Sequence, residues 1–314
     1  MTTPQSVLVL GLGELGTAVL NALCSHPLLP TSSTTLTLLV RPSTLSAPNQ
    51  AQKALLDAFR ARGVILQPGD IVNSSTAELT ALFAPHDVVI GCTGMAAPAG
   101  TQVKQARAAL AAGAPRYVPW QFGVDYDAIG AASAQDLFTE QLEVRGLLRA
   151  QERTRWCVVS TGIFMSFAFW EGFGVVGEKG EVVRALGSWE NGLTVTAVED
   201  IGRMVAEVVF AEGAWPVEER GSGIVFIAGD TLKYKEFAEV VGRVTGKEVR
   251  KELWTVEKLE QDVTEEPDNG MRKYRAVFAK GVGVAWDKGK TLNARLGIEL
   301  QTAEQWARES WNQS

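Results

Sequence analysis

The sequence predicts an α/β fold, a doubly wound parallel sheet followed by a smaller C-terminal α+β region, and three observations carry that reading. The first is the apolar run Val7-Leu8-Val9-Leu10, which suits a parallel strand buried on both faces, followed by Gly11, Gly13 and Gly16 and then apolar residues at helical spacing. The second is that residues 87–94, Asp-Val-Val-Ile-Gly-Cys-Thr-Gly, repeat the design of buried strand plus glycine. The third is the alternation of strand-like and helix-like segments up to residue 160, which implies right-handed crossovers. At 314 residues and 46% hydrophobic content, the chain can bury a substantial core.

The glycines of the first turn carry chemistry as well as shape. Gly11 permits the tight turn, Gly13 leaves room for a pyrophosphate to approach the backbone, and Gly16 lets helix and strand pack closely. The helix N-terminus supplies unpaired N–H groups for an anion. Residues 1–160 are therefore expected to form a Rossmann-type dinucleotide-binding domain, with later strands around 194–227 returning to it. Residues 161–314 are expected to be mainly a substrate-binding region. Glu14 and Leu15, between the glycines, belong to the same expected cofactor contacts.

The whole-chain numbers exclude other classes. A net charge of -6 and a pI near 5.2, with no basic cluster, argue against a nucleic-acid partner. No apolar segment reaches the roughly 18 residues of a membrane span, and no basic flank precedes an apolar stretch at the start, so a cytoplasmic protein is expected. Cys24, Cys92 and Cys157 are odd in number, widely spaced and in apolar settings, as reduced core thiols are. With His26 and His86 the only histidines, no metal site is expected. The sequence does not define an oligomeric state.

Taken in order, residues 36–40 read as a second strand ending at Arg41. The end of that strand meets the adenosine ribose in a dinucleotide fold, where an acidic residue takes the 2′-hydroxyl and an arginine accepts a 2′-phosphate. Arg41 thus favours NADP(H) over NAD(H), and Lys53, in a helix over 51–62, is a second candidate for the same phosphate. A strand at 64–66, the turn Gly69-Asp70 and a helix at 76–83 follow. The strand of 87–94 puts Thr93 and Gly94 at its carboxyl end, where ligands of parallel sheets bind. A helix at 102–112, with Gly113 as its stop, precedes a fifth strand at 116–119 and the segment Trp120-Gln121-Phe122-Gly123-Val124-Asp125. A helix over 136–149 and a sixth strand over 156–160 complete the expected domain.

Beyond it, Ile163-Phe164-Met165-Ser166-Phe167-Ala168-Phe169-Trp170 and Phe173 form the densest aromatic cluster. Phe164, Met165, Phe167 and Trp170 are candidates to line an apolar substrate pocket, the alternative being a core helix or seam. The glycine-rich stretch 172–192 suits a mobile cover or a hairpin. A short strand from Thr194, helices at 199–210 and 234–245, a strand at 224–227 and a solvated strand edge at 247–251 follow. The tail carrying Trp306 and Trp311 reads as docked packing.

From residue 7 to 170 the order glycine fingerprint, Leu-Val-Arg-Pro, Gly-Asp-Ile, Asp-Val-Val-Ile-Gly, Tyr-Val-Pro-Trp-Gln-Phe-Gly-Val-Asp and Ser-Thr-Gly-Ile-Phe resembles the NmrA-like and isoflavone reductase-like family, atypical members of the short-chain dehydrogenase superfamily. Val198-Glu199-Asp200-Ile201-Gly202 and Gly246-Lys247 are similar to later segments of that family. The resemblance implies an NADPH-binding domain, a smaller substrate domain, and reduction of phenylpropanoid-type substrates as in its plant members. It also implies a place for Phe164 beside the cofactor, and Phe122 is a further expected cofactor contact.

The departures matter as much. Reductases of the family carry a lysine three residues beyond a phenylalanine, and counting from Phe138 places Gln141 there. Lys104 and Lys179 are consecutive lysines, so no other lysine of this stretch substitutes. Glutamine can orient a carbonyl by hydrogen bonding but has no proton to transfer near neutral pH. A family glutamate is likewise replaced by Gln121, and no tyrosine is followed by a lysine four residues on. Gln141, Gln121 and Asp125 are the candidate catalytic residues, with Asp125 alternatively a helix cap, and Tyr126 beside it a side chain within reach. The expected function is NADPH-dependent reduction of a small apolar carbonyl or conjugated alkene, aromatic or polyketide-like, in secondary metabolism. The alternatives are a cofactor-sensing regulatory protein that binds NADP(H) and a protein partner, and a non-redox enzyme using the same pocket.

Overall fold

Strand β1 (Ser6–Leu10) sits at the centre of the larger sheet, and its residues Val7, Leu8, Val9 and Leu10 are fully inaccessible to solvent. The computed structural model describes residues 3–94, 97–131, 136–217 and 221–311. The chain divides into two units, the first comprising residues 1–121, 143–159 and 201–225 and the second residues 122–142, 160–200 and 226–314.

In the first unit, β2 (Thr35–Val40), β3 (Ile65–Pro68), β4 (Val88–Gly91), β5 (Arg116–Val118), β6 (Arg155–Ser160) and β7 (Gly223–Phe226) join β1 in the order β7-β6-β5-β4-β1-β2-β3. The pairs β1–β2, β1–β4, β2–β3, β4–β5 and β5–β6 are all parallel. The strand order reverses between β1 and β4, and a doubly wound sheet opens a ligand crevice at such a point. The crossovers are α1 (Glu14–Ser25), α2 (Gln50–Ala61), α3 (Thr76–Phe83), α4 (Thr101–Ala112) and α5 (Thr139–Arg149), with α6 (Val198–Phe210) preceding β7.

Leu8, Leu10, Leu39 and Val89 share one apolar cluster with Leu79 and Phe83 of α3, Ala106 and Ala109 of α4, and Val144 and Leu148 of α5. Val7 and Val9 turn to the opposite face by the two-residue period of a strand. Gly202 of α6 lies so close to the Ala18 backbone of α1 that an added Cβ would meet it at 2.5 Å. Capping boxes fix the starts of α2, at Asn49 and Gln52, and of α3, at Ser75 and Glu78. Each predicted strand and helix of this region is present, with ends moved by one to three residues. A helix at Pro42–Ser46, directly after β2, was not expected.

The second unit holds two small sheets. The strand Gly192–Thr196 pairs antiparallel with Asp230–Lys233 and parallel with Ile163–Phe164. The strand Val182–Leu186 pairs antiparallel with Val176–Gly177 and parallel with Arg250–Trp254. The glycine-rich stretch is therefore a hairpin, and the expected solvated strand begins at Arg250 on a sheet edge. The strand begun near Thr194 joins a sheet of this unit, and of the returning region only β7 lies in the larger sheet. Two threonine hydroxyls explain part of that choice. Thr196 donates to the Thr161 carbonyl at 2.7 Å, and Thr194 Oγ1 meets Thr231 Oγ1 at 2.9 Å.

Candidate functional site

A cleft of about 630 Å³ opens in the first unit at the carboxyl ends of β1, β2 and β4, within the size range of small-molecule sites. Gly11, Leu12 and Gly13 form one wall, Arg41 and Thr44 another, Asp70 to Asn73 a third, and Cys92, Thr93 and Gly94 the fourth. Of the expected cofactor residues, Gly11, Gly13, Arg41, Thr93 and Gly94 are thus brought together.

The glycines divide the labour in this turn. Gly11 has φ of +104°, a conformation that side chains rarely adopt. A Cβ on Gly16 would fall well under 3.0 Å from the Gly11 carbonyl oxygen, so helix α1 can lie on the turn only as glycine there. Gly13 differs, since a Cβ on it would meet no protein atom within 4 Å. The space before Gly13 is open, and Gly13 is the N-cap of α1 without any side-chain cap. The first N–H groups of α1 lack the side-chain acceptor that Asn49 and Ser75 give α2 and α3, so an anion fits them.

Arg41 lies at the end of β2, before Pro42. Across the cleft, burial pushes the Asp70 carboxyl up, but the Asn73 side chain, the Asn73 and Val72 backbone N–H groups and the Arg41 charge hold it below its usual range. Its oxygens are occupied within its own turn by Val72, Asn73 and the Asn73 amide. Lys104 anchors the same loop through the Val72 and Ser74 carbonyls at 2.6 and 3.0 Å. Gln102, buried, donates to the Thr93 carbonyl at 2.6 Å and so fixes the floor of the cleft. Cys92 lines the cleft as a thiol whose pKa is pushed well up by burial, which makes it packing rather than a nucleophile.

Several expected contacts lie elsewhere. Lys53 is 69% exposed and pairs with Asp57 at 2.7 Å, whereas its neighbour Gln52 lines the cleft. The capping box that starts α2 sets this helical phase. Leu15 and Gly16 are buried under the turn, and Glu14 is exposed in the first turn of α1. Thr44, Gln52 and the 71–73 loop were not singled out from sequence. The turn signal Gly69-Asp70 was the available clue to that loop.

Of the candidate catalytic residues Gln121 and Gln141 are buried, and Asp125 is half-buried. Gln121 accepts a hydrogen bond from Nε of Arg145 at 2.7 Å, and both side chains are at most 1% exposed. Gln141 is buried on the same helix face as Arg145, four residues earlier. Asp125 accepts from the Asp127 and Ala128 N–H groups and caps the helix Tyr126–Ile129, so the capping reading applies to it. Phe122 is buried in the second unit.

The aromatic segment belongs wholly to the second unit. Met165 is fully buried with its Cε close to Gly229, and Phe164 is half-buried. The half-buried Phe167 lies 5.1 Å from Phe173, 5.6 Å from Trp170 and 5.8 Å from Tyr274. Phe169 instead packs on Phe237, Trp306 and Trp311. Trp170, 52% exposed, lines with these tryptophans a separate cavity of about 620 Å³. Of the four residues expected to line a substrate pocket, Trp170 lines this cavity and Met165 is packed in the core. Among the described residues no group of three His, Cys, Asp or Glu side chains could hold a metal ion, and no helix is long and apolar enough to cross a membrane.

The sequence model of the NmrA-like family matches residues 3–282. An NmrA-like family domain-containing oxidoreductase of Gibberella moniliformis is 45% identical over 308 residues, covering 97% of this chain and 98% of its own. Among solved structures, an isoflavone reductase superimposes with a TM-score of 0.76 at 21% identity, covering 98% of this chain and 99% of its own. The binary complex of leucoanthocyanidin reductase with NADPH from Vitis vinifera does so with a TM-score of 0.74 at 19% identity, covering 97% and 98%.

Proposed function

The chain belongs to the NmrA-like family, and from that premise we propose that it is an NADPH-dependent reductase of a small, apolar, aromatic or polyketide-like carbonyl or conjugated alkene. The observation that carries the reading is the open, uncapped Gly13 turn facing Arg41 across one cleft. Such a turn suits a pyrophosphate, and an arginine at the end of the second strand suits a 2′-phosphate rather than a free 2′-hydroxyl. Gly11, Gly13, Arg41, Thr93 and Gly94 would hold NADP(H), with Thr44 and Gln52 beside the ribose end. When bound, the cofactor supplies the hydride. The similar fungal protein named an oxidoreductase, and the NADPH complex of a plant reductase with the same fold, support the assignment.

The protein's share is orientation and a dry, apolar surface. Gln121, whose oxygen is held by Arg145, and Met165 are buried, so of the side chains expected to meet substrate the half-buried Phe164 and Phe167 are the ones that would supply apolar contacts. The test is incubation of the purified protein with NADPH and a panel of aromatic ketones, aldehydes and conjugated alkenes, following loss of the reduced nicotinamide absorbance. Substrate-dependent oxidation of NADPH is expected. Tight NADPH binding with no turnover on any class would overturn the reductase reading and favour a cofactor-sensing role.

A further inference from the structure

The cavity lined by Trp170 is built entirely from residues of the second unit and has no role in the reading above. We propose that it is a ligand site in its own right, shaped for a flat aromatic molecule that carries an acidic group, such as an aromatic carboxylate. The proposal does not rest on the reductase reading.

The walls of the cavity are rings. Three of the nine tryptophans of the chain, Trp170, Trp306 and Trp311, line it together with Phe169. Phe169 is the buried member, with ring centroids of Trp306 at 5.4 Å and Trp311 at 5.1 Å. Two glycines make room for indoles. A Cβ on Gly172 would collide with the Trp170 ring, and one on Gly180 would meet the Trp311 ring at 2.7 Å. The tail contributes a second device. Residues five apart on an α-helix stand about 140° from each other. The turn Ala307–Trp311 is π-helical instead, and its closure from i to i+5 returns Trp311 to the face of Trp306. Such turns are rare and are frequent at functional sites. Trp170, on the exposed side, keeps half of its surface available to a ligand.

The polar part of the lining selects the charge of that ligand. Lys179 and Lys247 both line the cavity and are both exposed. Lys247 pairs with Glu181 at 2.9 Å, whereas Lys179 forms no ion pair with a described residue. Among the described residues Lys179 is also the one non-glycine with a positive φ, +52°. Side chains rarely hold that conformation, and outliers of this kind cluster at ligand clamps. The Lys179 N–H donates to Glu171 Oε1 at 2.9 Å, which pins the residue and engages the only carboxylate among the described lining residues. The Ser166 hydroxyl, also in the lining, has no hydrogen-bond partner among the described residues and is a free donor.

An aromatic cage can also take a cation. Here two lysines stand against one engaged carboxylate, which opposes a cationic guest and favours an anion that Lys179 can meet by a charge-assisted hydrogen bond. The local field agrees. Lys247, and then Arg250 and Lys179, hold the Glu181 carboxyl below its ordinary pKa. A volume of about 620 Å³ admits a bicyclic aromatic acid.

Isothermal titration calorimetry of the full chain with 2-naphthoate and its neutral counterpart 2-naphthamide tests the assignment. The acid should bind one to one and about fivefold more tightly than the amide at low salt, and about 0.5 M sodium chloride should shrink the difference. Lys179→Asn removes the charge with a residue that tolerates positive φ. It should abolish the preference for the acid and leave the amide affinity and the thermal midpoint near wild type. Trp170→Ala removes an exposed ring and should weaken both probes by about tenfold. Absence of 2-naphthoate binding, equal wild-type affinity for acid and amide, or wild-type 2-naphthoate affinity in both variants overturns the proposal. Equal loss of both probes in Lys179→Asn overturns it in favour of a packing role for that turn. A lowered thermal midpoint in Trp170→Ala leaves the decision to Lys179→Asn alone. Neither probe nor readout involves NADPH, so failure here and failure of the reductase reading are told apart.

Discussion

Replacing Gly13 and Gly16 by alanine, one at a time, separates the two jobs of the first turn. At Gly16 the new Cβ would sit under 3.0 Å from the Gly11 carbonyl oxygen and at 3.0 Å from its carbon, and both are backbone atoms with no rotamer to yield. Strand end and helix must move apart, and overpacking of this kind costs about 1–3 kcal/mol. At about 2–4 °C per kcal/mol for domains of about 150–250 residues, the thermal midpoint should drop by roughly 2–12 °C. At Gly13 the same methyl meets no protein atom, and the backbone there, at φ -86° and ψ -169°, suits any residue. Stability should therefore stay within about 0.5 kcal/mol, as for a surface change. The methyl does occupy the approach to the α1 N-terminus. Loss of one or two hydrogen bonds to a charged phosphate, about 1.5–3 kcal/mol each, weakens NADPH by at least about tenfold. Thermal unfolding with and without NADPH, together with a fluorescence titration, reads both effects. A Gly13→Ala protein that binds NADPH as tightly as wild type would refute the phosphate-binding argument, and an unshifted Gly16→Ala midpoint would refute the packing argument.

Two further changes probe the rest of the molecule. Phe169→Ala removes a buried ring that packs on Phe237, Trp306 and Trp311, and should cost about 3–5 kcal/mol with a reduced near-ultraviolet circular dichroism signal; an unchanged urea midpoint would show that the tail is not docked there. His86 is held below the usual imidazole pKa by burial, against an opposing pull from Asp87, and its Nδ1 has no hydrogen-bond partner among the described residues. The unfolded chain therefore takes up this proton first, so stability is full above about pH 6.5 and falls as pH drops through the folded-state value. His86→Asn should flatten that part of a plot of urea midpoint against pH, and an unaltered slope would clear His86 of the effect.

The larger sheet was legible because its strands are short runs of buried apolar residues punctuated by glycine, a signal that does not depend on distant partners. Gly11, Gly13, Arg41, Thr93 and Gly94 could be placed for the same reason, each standing at the carboxyl end of a recognisable strand. Lys53 could not be placed reliably. The Asn49 capping box sets the phase of α2, and one residue of helix, about 100°, separates the cleft-facing Gln52 from a lysine paired with Asp57. The second unit was harder to read, because its strands are as short as two residues and their partners are remote in sequence. Ile163–Phe164 finds Gly192–Thr196, and Val182–Leu186 finds Arg250–Trp254.

The central claim is that the cleft of the first unit takes NADP(H) with Arg41 at the 2′-phosphate, and the most direct measurement is the dissociation constant for NADPH and for NADH in wild type and Arg41→Ala. Loss of a charged hydrogen bond, about 1.5–3 kcal/mol, should weaken NADPH by about 10- to 100-fold and leave NADH within about twofold, because NADH lacks the phosphate that Arg41 is proposed to meet. Equal weakening of both cofactors, or a wild-type preference for NADH, would contradict the claim.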